Sequence, residues 1–254
     1  MAKCIEVANL YKSYGGLAVL QDVSLDVNDG ETLAIIGPNG AGKTTMFKVI
    51  TGEAPANGGV IKYAGRQIND LSPERRTRLG FGRTFQVSRV FPSNTVRENL
   101  IVAIEARNRN AGVKAGKWYN VAPLAEIRDE ADRVAERVDL ASKRDVEARY
   151  LSHGDKKRLE FAAMLCLRPR VLMLDEPTAG MSSTDRVQVT KLIQRIKTEE
   201  QVTVMLTEHD MDVVFGLSDR ILVLNFGRVV ACDTPDNIRN NREVRTVYLG
   251  NEAN

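Results

Sequence analysis

A glycine-rich stretch, GPNGAGKTT, occupies residues 37–45 directly after the apolar run TLAII. Its GxxxxGKT spacing is that of a phosphate-binding loop, in which backbone N–H groups converge on phosphate oxygens at a helix N-terminus. In such a loop Lys43 reaches the terminal phosphates and the Thr44 hydroxyl binds Mg²⁺. The sequence therefore predicts a nucleotide site, with the candidate residues Gly37, Pro38, Asn39, Gly40, Ala41, Gly42, Lys43, Thr44 and Thr45.

Two carboxylates, Asp175 and Glu176, follow the apolar run VLML at residues 171–174. A run of this kind predicts a buried strand that delivers both side chains to its end. Next to a phosphate loop, Asp175 would hold the magnesium shell, partly through water, and Glu176 would polarise the water that attacks the γ-phosphate. The alternative is a buried strand that ends in solvated acids, and the preceding phosphate loop disfavours it.

Hydrophobic periodicity defines the elements that must position these groups. Alternating apolar residues between 5 and 27, interrupted by the turn YGG at 14–16, predict strands joined by tight turns. The glycines at 58, 59 and 65 predict a further hairpin. Residues 32–36 predict a strand that leads through the phosphate loop into a helix over 43–50.

Beyond residue 86 the pattern becomes helical, with helices around 127–138 and 156–167 and a basic, glycine-containing loop insertion at 107–119. Strands are then predicted at 171–174 and 202–206, with an amphipathic helix around 189–196 between them. Continuous apolar strands that alternate with helices predict a parallel sheet buried on both faces.

The composition is that of a globular protein, with 254 residues, 43% of them hydrophobic and 27% charged, enough for one large domain or a core with a subdomain. Basic residues exceed acidic ones by only three and are scattered, which argues against nucleic acid as a partner. Three cysteines without paired spacing argue against a disulfide framework and a zinc site, and favour a reducing compartment. We expect neither a signal peptide nor a transmembrane helix, so a membrane role would depend on partners.

The segment LSHGD at residues 151–155 lies before a predicted helix and between the two phosphate-site motifs. This order resembles that of ATP-binding cassette (ABC) ATPases, in which LSHGD would be the signature motif. Four further segments match in order: Tyr14 as the aromatic that stacks on adenine, Gln86 in RTFQ as the Q-loop, AGMS at 179–182 as the D-loop, and His209 in TEHD as the switch histidine.

The resemblance implies a fold. It is an α/β P-loop NTPase fold, with a RecA-like parallel-sheet core, an antiparallel β subdomain and an α-helical subdomain. We expect the nucleotide-binding core and the β subdomain in residues 1–86, the helical subdomain in 87–160, and the second part of the core, with the C-terminal tail, in 161–254.

The resemblance also implies roles, with ATP and Mg²⁺ as cofactors. The catalytic residues would be Lys43, Gln86, Glu176 and His209, and the metal-binding residues Thr44, Gln86 and Asp175. Two cassettes pair head to tail in the family, so a second cassette, either a copy of this chain or a related one, would receive the trans contacts Ser152, His153, Gly154 and Asp155. The alternatives are a strand-end tyrosine covering the core for Tyr14 and a solvated glutamine for Gln86.

Three positions depart from the family pattern. His153 replaces the usual signature glycine, Asp155 replaces glutamine, and the D-loop ends in Ser182 rather than aspartate. These changes concern contacts between cassettes. Both Glu176 and His209 are present, which favours a cassette that hydrolyses ATP.

Finer features resemble the ATP-binding subunits of branched-chain amino acid importers of the LivG type. They are LSHGDKKRLE, DEPTAGM, the insertion at 107–119 and the tail VRTVYLG at 244–250. The resemblance implies a permease that contacts a cleft at about residues 87–98, including Phe91 and Pro92, and indirectly an extracytoplasmic solute-binding protein. The chain would then lie at the cytoplasmic face of the inner membrane. The alternatives are an importer of urea or short-chain amides, an exporter or lipopolysaccharide-transport cassette, and a soluble module that uses ATP-driven dimerisation as a switch.

Overall fold

A computed structural model describes residues 2–83, 90–112 and 125–249, apart from the side chains of the last two. The strands are β1 (Lys3–Tyr14), β2 (Leu17–Asn28), β3 (Thr32–Ile36), β4 (Gly58–Tyr63), β5 (Arg66–Gln67), β6 (Phe81–Arg83), β7 (Val171–Asp175), β8 (Thr203–Thr207), β9 (Arg220–Asn225) and β10 (Arg228–Asp233). The helices are α1 (Lys43–Thr51), α2 (Pro73–Arg78), α3 (Val96–Asn110), α4 (Ala125–Arg137), α5 (His153–Cys166), α6 (Ser183–Glu200), α7 (Met211–Leu217), α8 (Pro235–Asn240) and α9 (Arg242–Leu249).

The larger sheet has the strand order β10-β9-β3-β8-β7-β6, and its pairs are parallel except for β10 with β9. All residues of β3, β7 and β8 are buried. Successive residues alternate between two cores: Leu33 and Ile35 pack with α1 and the β subdomain, whereas Ala34 and Ile36 pack with the helical side. The prediction of a parallel sheet buried on both faces is confirmed.

The smaller sheet is antiparallel, with the order β2-β1-β4-β5. Ile5 pairs with Val27 on one side and with Tyr63 on the other, so β1 lies at the centre. Gly15 and Gly65 adopt positive φ at the two hairpin turns, as the sequence predicted.

Helices α3, α4 and α5 pack together on the helical side of the larger sheet. A capping box begins α3, because the Thr95 hydroxyl accepts from Glu98 N–H and the Glu98 carboxylate accepts from Thr95 N–H. The Arg107 guanidinium joins these helices by donating to Glu130 in the middle of α4 and to the Cys166 carbonyl at the end of α5.

Two predicted boundaries were wrong. Helix α5 begins at His153, three residues before the predicted start, because Ser152 caps it by accepting a hydrogen bond from Asp155 N–H. Helix α3 continues to Asn110, so residues 107–110 are helical and not part of the predicted loop insertion. The contacts of Arg107 outweigh the weak local signal there, and residues 113–119 of the insertion lie outside the described part of the chain.

Within the described residues, we find no helix that has both the length and the apolar character needed to cross a membrane.

Candidate nucleotide site

Three of the predicted motifs lie at one edge of the larger sheet. The phosphate loop follows β3, Glu176 follows β7 and His209 follows β8, and these three strands are parallel neighbours. Ligands of open parallel sheets bind beyond the carboxyl ends of the strands. The fold therefore brings these motifs together although they are far apart in sequence.

The phosphate loop is shaped by glycines that cannot carry side chains. Gly37 has φ of 153°, and a Cβ there would lie 2.0 Å from the Leu224 carbonyl oxygen. Gly42 has φ of 106° and would bring a Cβ within 2.9 Å of the Val19 carbonyl oxygen. The turn between β9 and β10 supports the loop from behind, since Gly227 N–H donates to the Ala41 carbonyl at 3.0 Å.

Helix α1 begins directly after this loop at Lys43. Its N-cap, Gly42, provides no side-chain hydrogen bond, and its first turn carries no acidic residue, which leaves the N–H groups of that turn available to an anion. Lys43 is 7% exposed, and its Nζ donates to the carbonyls of Gly37 at 2.6 Å and Pro38 at 3.2 Å. Burial lowers the pKa of Lys43, while the charges of Glu176 and Asp175 oppose that shift.

Asp175 is 2% exposed and is held on both carboxylate oxygens. Its Oδ1 accepts from the Thr207 hydroxyl at 2.7 Å, and its Oδ2 lies 3.3 Å from Nη2 of Arg83. The Arg83 Nη1 also donates to Glu53 at 2.6 Å and to the Thr51 hydroxyl at 3.2 Å, at the end of α1. Strand β6 is thereby linked both to the helix of the phosphate loop and to the strand-end acid.

Glu176 and His209 are in direct contact, with His209 Nε2 3.0 Å from Glu176 Oε1. Glu176 adopts a left-handed φ of 49°, and its N–H donates to the carbonyl of Thr207 at 3.0 Å. The histidine side chain is 51% exposed and the glutamate 26%, so both reach solvent at the edge of the sheet.

Tyr14 ends β1 and is 48% exposed. It pairs with Leu17 across the β1–β2 hairpin, and the following residues, Val19 and Leu20, lie against Gly42 of the phosphate loop. The Lys12 Nζ is 4.7 Å from the centre of the tyrosine ring. An exposed aromatic ring thus lies on the hairpin that packs against the phosphate loop, and the alternative that Tyr14 covers the core does not agree with this exposure.

The signature segment forms the N-terminus of α5. Ser152 and His153 are exposed, whereas Gly154 and Asp155 are buried. A Cβ at Gly154 would lie 3.0 Å from the carboxylate of Asp185 on α6, so glycine permits this close approach. The predicted D-loop lies close by: the site of a Cβ on Gly180 is 3.7 Å from His153 Nε2.

Ser182, which stands where the family pattern has aspartate, caps α6. Its hydroxyl accepts from Asp185 N–H at 3.2 Å and contacts the Asp185 carboxylate at 2.7 Å. Serine and aspartate are both strong N-cap residues, so this departure preserves the start of the helix.

A groove of about 500 Å³ lies between β6, α3 and α5. It is lined by Arg83, Phe91 and Met164 among others, and Phe91 is 53% exposed. The carbonyl of Pro92, also assigned to the cleft by sequence, accepts from Arg149 N–H at 3.0 Å. Gln86 and residues 87–89 of the predicted cleft lie outside the described residues.

The sequence analysis missed three polar residues. Arg83 and Thr207 hold Asp175, and Lys143 pairs with Asp155 of the signature segment. Thr207 follows a predicted strand beside the carboxylate motif, so strand order could have revealed it. Lys143 and Arg83 meet their partners through the tertiary fold, and neither has a local signal.

The comparisons with known proteins agree with this geometry. The family model for ABC transporters matches residues 20–179. The branched-chain amino acid transport ATP-binding proteins LivG of Salmonella typhimurium and BraF of Pseudomonas aeruginosa are each 39% identical over 249 residues, covering 97% of both chains. The lipopolysaccharide export ATP-binding protein LptB of Haemophilus influenzae is 32% identical over 244 residues and 96% of both chains.

Solved structures share the fold. The ADP conformation of an ATP-binding cassette of an ABC transporter superposes with a TM-score of 0.85 at 26% identity, covering 98% of this chain and 100% of the other. A nucleotide-free cassette gives a TM-score of 0.81 at 28% identity, covering 97% and 98%. The predicted ABC ATPase fold is confirmed, and the chain belongs to the ABC transporter family as a nucleotide-binding ATPase subunit.

Proposed function

We propose that this chain hydrolyses ATP to power the import of branched-chain amino acids through a membrane ABC transporter. The observation that carries the proposal is the 39% identity, over 97% of both chains, to proteins named for branched-chain amino acid transport. The tail VRTVYLG and the segment LSHGDKKRLE support the same subfamily.

ATP would lie along the phosphate loop, with its phosphates on the first-turn N–H groups of α1 and its adenine on Tyr14. Lys43 would then exchange its donation to the carbonyls of Gly37 and Pro38 for the terminal phosphates. Because burial disfavours the charged lysine, the incoming phosphate charge supplies a stronger partner than the carbonyls do.

The residues present fit Mg²⁺. The carboxylate of Asp175 is buried at the strand end and held by Thr207, while Thr44 is half-buried in the first turn of α1. Among the described residues no group of three His, Cys, Asp or Glu could hold a metal alone, which suits an ion bound mainly by phosphates, a hydroxyl and water. When bound, Mg²⁺ withdraws charge from the phosphates. Thr44, Asp175 and Gln86 would hold it.

Glu176 would orient and polarise the attacking water, and His209 would keep that carboxylate in position while donating to the γ-phosphate. The 3.0 Å contact between His209 Nε2 and Glu176 Oε1 supports this pairing. Gln86 would add a neutral amide to the same water.

Hydrolysis would require two cassettes paired head to tail, either two copies of this chain or this chain with a related one. Ser152, His153, Gly154 and Asp155 of one cassette would cap the γ-phosphate bound to Lys43 of the other. The signature lies at the N-terminus of α5, whose partial positive charge favours a phosphate, and this supports the arrangement.

The groove lined by Arg83, Phe91 and Met164 would receive the permease, which would hold the chain at the cytoplasmic face of the membrane. The proposed division at residue 86 assigns Arg83 to the core and Phe91 to the helical subdomain, whereas the proposed division at residue 160 falls within α5, which also lines the groove. A solute-binding protein would act only through the permease.

The test is ATP turnover by the purified chain, alone and with branched-chain permease subunits in nanodiscs. Stimulation by a binding protein loaded with leucine, and not by the same protein without ligand, would support the proposal. Turnover that responds to a urea-loaded system instead would assign the chain to the urea or amide importers. Turnover unaffected by any permease would favour a soluble ATP-switched module.

Lipopolysaccharide export is a second candidate, supported by the 32% identity to LptB. The same assay with a lipopolysaccharide-export permease distinguishes the two, because only the true partner should stimulate turnover.

A further inference from the structure

Asp155 places a buried acid in the signature segment, where the usual motif has glutamine. It is 6% exposed in the first turn of α5. Its Oδ2 accepts from the Ser152 hydroxyl at 2.8 Å, and Ser152 in turn accepts from Asp155 N–H at 3.2 Å. A carboxylate therefore touches the serine that would meet the γ-phosphate of a paired cassette.

Lys143 supplies the opposite charge. It ends the 3₁₀ turn Ala141–Lys143, and its Nζ donates to the same Oδ2 that the Ser152 hydroxyl contacts. Arg158 lies farther away, with Nη1 3.8 Å from Oδ1, and its Nη2 donates to Gln188. Burial opposes ionisation of Asp155, but the hydrogen bonds from Lys143 and Ser152 bring the pKa of its carboxyl below the ordinary value.

A phosphate that docks on Ser152 brings negative charge close to Asp155. Like charges at this range repel unless a cation compensates, whereas a glutamine would require none. The Lys143 side chain is 46% exposed, so it reaches the surface while it pairs with Asp155. We propose that Lys143 is a positioning residue of the trans site, which neutralises Asp155 and holds Ser152 so that the nucleotide of a second cassette can dock. This proposal rests on the head-to-tail pairing proposed above.

The test uses the full chain with Glu176→Gln as the parent, since this change should trap ATP-bound dimers. Size-exclusion chromatography with light scattering then gives the ATP concentration at which half of the chains are dimeric. We expect Lys143→Met to raise that concentration about tenfold or more, because it removes the cation that is hydrogen-bonded to the buried carboxylate and leaves the more distant Arg158, 3.8 Å from Oδ1. Lys143→Arg, and Lys143→Met combined with Asp155→Gln, should return it to within about threefold of the parent, since one restores the charge and the other removes the need for it.

Lys62→Met provides a matched control, because Lys62 is exposed on β4 in the other subdomain. Binding of a fluorescent ATP analogue to monomers should be the same in all variants, because the cis site is unchanged. If the ion pair were purely structural, Lys143→Met would lower the melting temperature, and adding Asp155→Gln would not restore dimerisation.

Three results would overturn the role of Lys143. They are parent-like dimerisation of Lys143→Met, failure of the double variant to recover, and loss of dimerisation when Lys143→Met is added to Asp155→Gln. The comparison of the double variant with Asp155→Gln remains decisive if Lys143→Met alone does not fold. Neither of these two variants carries an aspartate at position 155. A parent that binds ATP but never dimerises would overturn the pairing itself, and this proposal with it.

Discussion

Glu130→Gln should destabilise the helical subdomain in a pH-dependent way. Glu130 of α4 accepts from Arg107 at 2.7 and 2.9 Å and from Arg168 at 3.0 Å, and its side chain is 20% exposed. The hydrogen bond from Arg107 is the main cause that lowers the pKa of Glu130 from 4.5 to about 2, against the opposing effect of burial. Arg107 also donates to the Cys166 carbonyl at the end of α5, so the pair joins three helices.

The magnitude follows from that pKa. A fall from 4.5 to about 2 corresponds to about 3 kcal/mol of stability, at about 1.36 kcal/mol per pH unit. Because the folded-state pKa is depressed, this stability is fully present above a pH of about 4.5 and is lost as the pH falls through about 2. At a pH of about 3.5 about 2 kcal/mol should remain. Glutamine keeps the shape of the side chain, removes its charge and replaces one of the two oxygens that accept from Arg107 with an amide donor.

The assay is urea unfolding of the parent and the variant at pH 7 and at about pH 3.5, followed by circular dichroism. Glu136→Gln is the control, because Glu136 lies on the same helix and is exposed, and its effect should stay within about 0.5 kcal/mol. The reasoning is refuted if Glu130→Gln lowers the free energy of unfolding no more than the control does. It is also refuted if that loss is not smaller at the lower pH, because the stability would then not depend on the ionisation of Glu130.

Three further predictions concern the site. Glu176→Gln should retain ATP binding and lower turnover at least about a hundredfold, because the carboxylate in contact with His209 is the proposed base; turnover equal to that of the unchanged chain would exclude it. Ser152→Arg should block ATP-driven dimerisation while leaving ATP binding by monomers intact, as checked by light scattering and a fluorescent analogue, and unchanged dimerisation would refute the trans contact. Ser182→Ala should cost about 1 kcal/mol in urea unfolding, whereas Ser182→Asp should be nearly neutral; equal losses in both would contradict the capping role.

The sequence predicts best those features that a short stretch specifies alone. The phosphate loop is one such feature, because the backbone of another segment lies too close to its glycines for a side chain to fit, as the Leu224 carbonyl does at Gly37. The buried strands β3, β7 and β8 are another, because an apolar run between turn signals has few alternatives. Because β7 and β8 are parallel neighbours, Glu176 and His209, which follow these strands, lie at the same carboxyl edge of the sheet.

The start of α5 shows a signal that was available but overlooked. Ser152 with Asp155 three residues later is a helix-start pattern even though Gly154 lies between them, and it would have placed the start of the helix before the predicted residue 156. The glycine is tolerated there because Asp185 of α6 occupies the space of a side chain. That contact joins residues distant in sequence, and no local pattern could predict it.

The pairs Lys143 with Asp155 and Arg83 with Asp175 illustrate what local sequence does not specify. Arg83 and Asp175 are 92 residues apart and meet because β6 and β7 are neighbours in the sheet. Long charged side chains can choose among many partners, and only the packed backbone selects one. Such pairs became visible only when the strand and helix neighbours were known.

Helix α5 connects the two halves of the proposed mechanism. Its first turn carries the signature segment, and its last turn lines the groove with Ala163 and Met164. Strand β7, which begins five residues after the helix ends, leads to Asp175. The other wall of the groove carries Arg83, whose guanidinium reaches that same aspartate. A partner that changes the width of the groove would therefore act on the proposed trans contact through α5 and on Asp175, the proposed metal ligand, through Arg83. If the proposed permease binds this groove, coupling of transport to hydrolysis would require no long relay, because α5 and Arg83, which line the groove, support the two proposed sites.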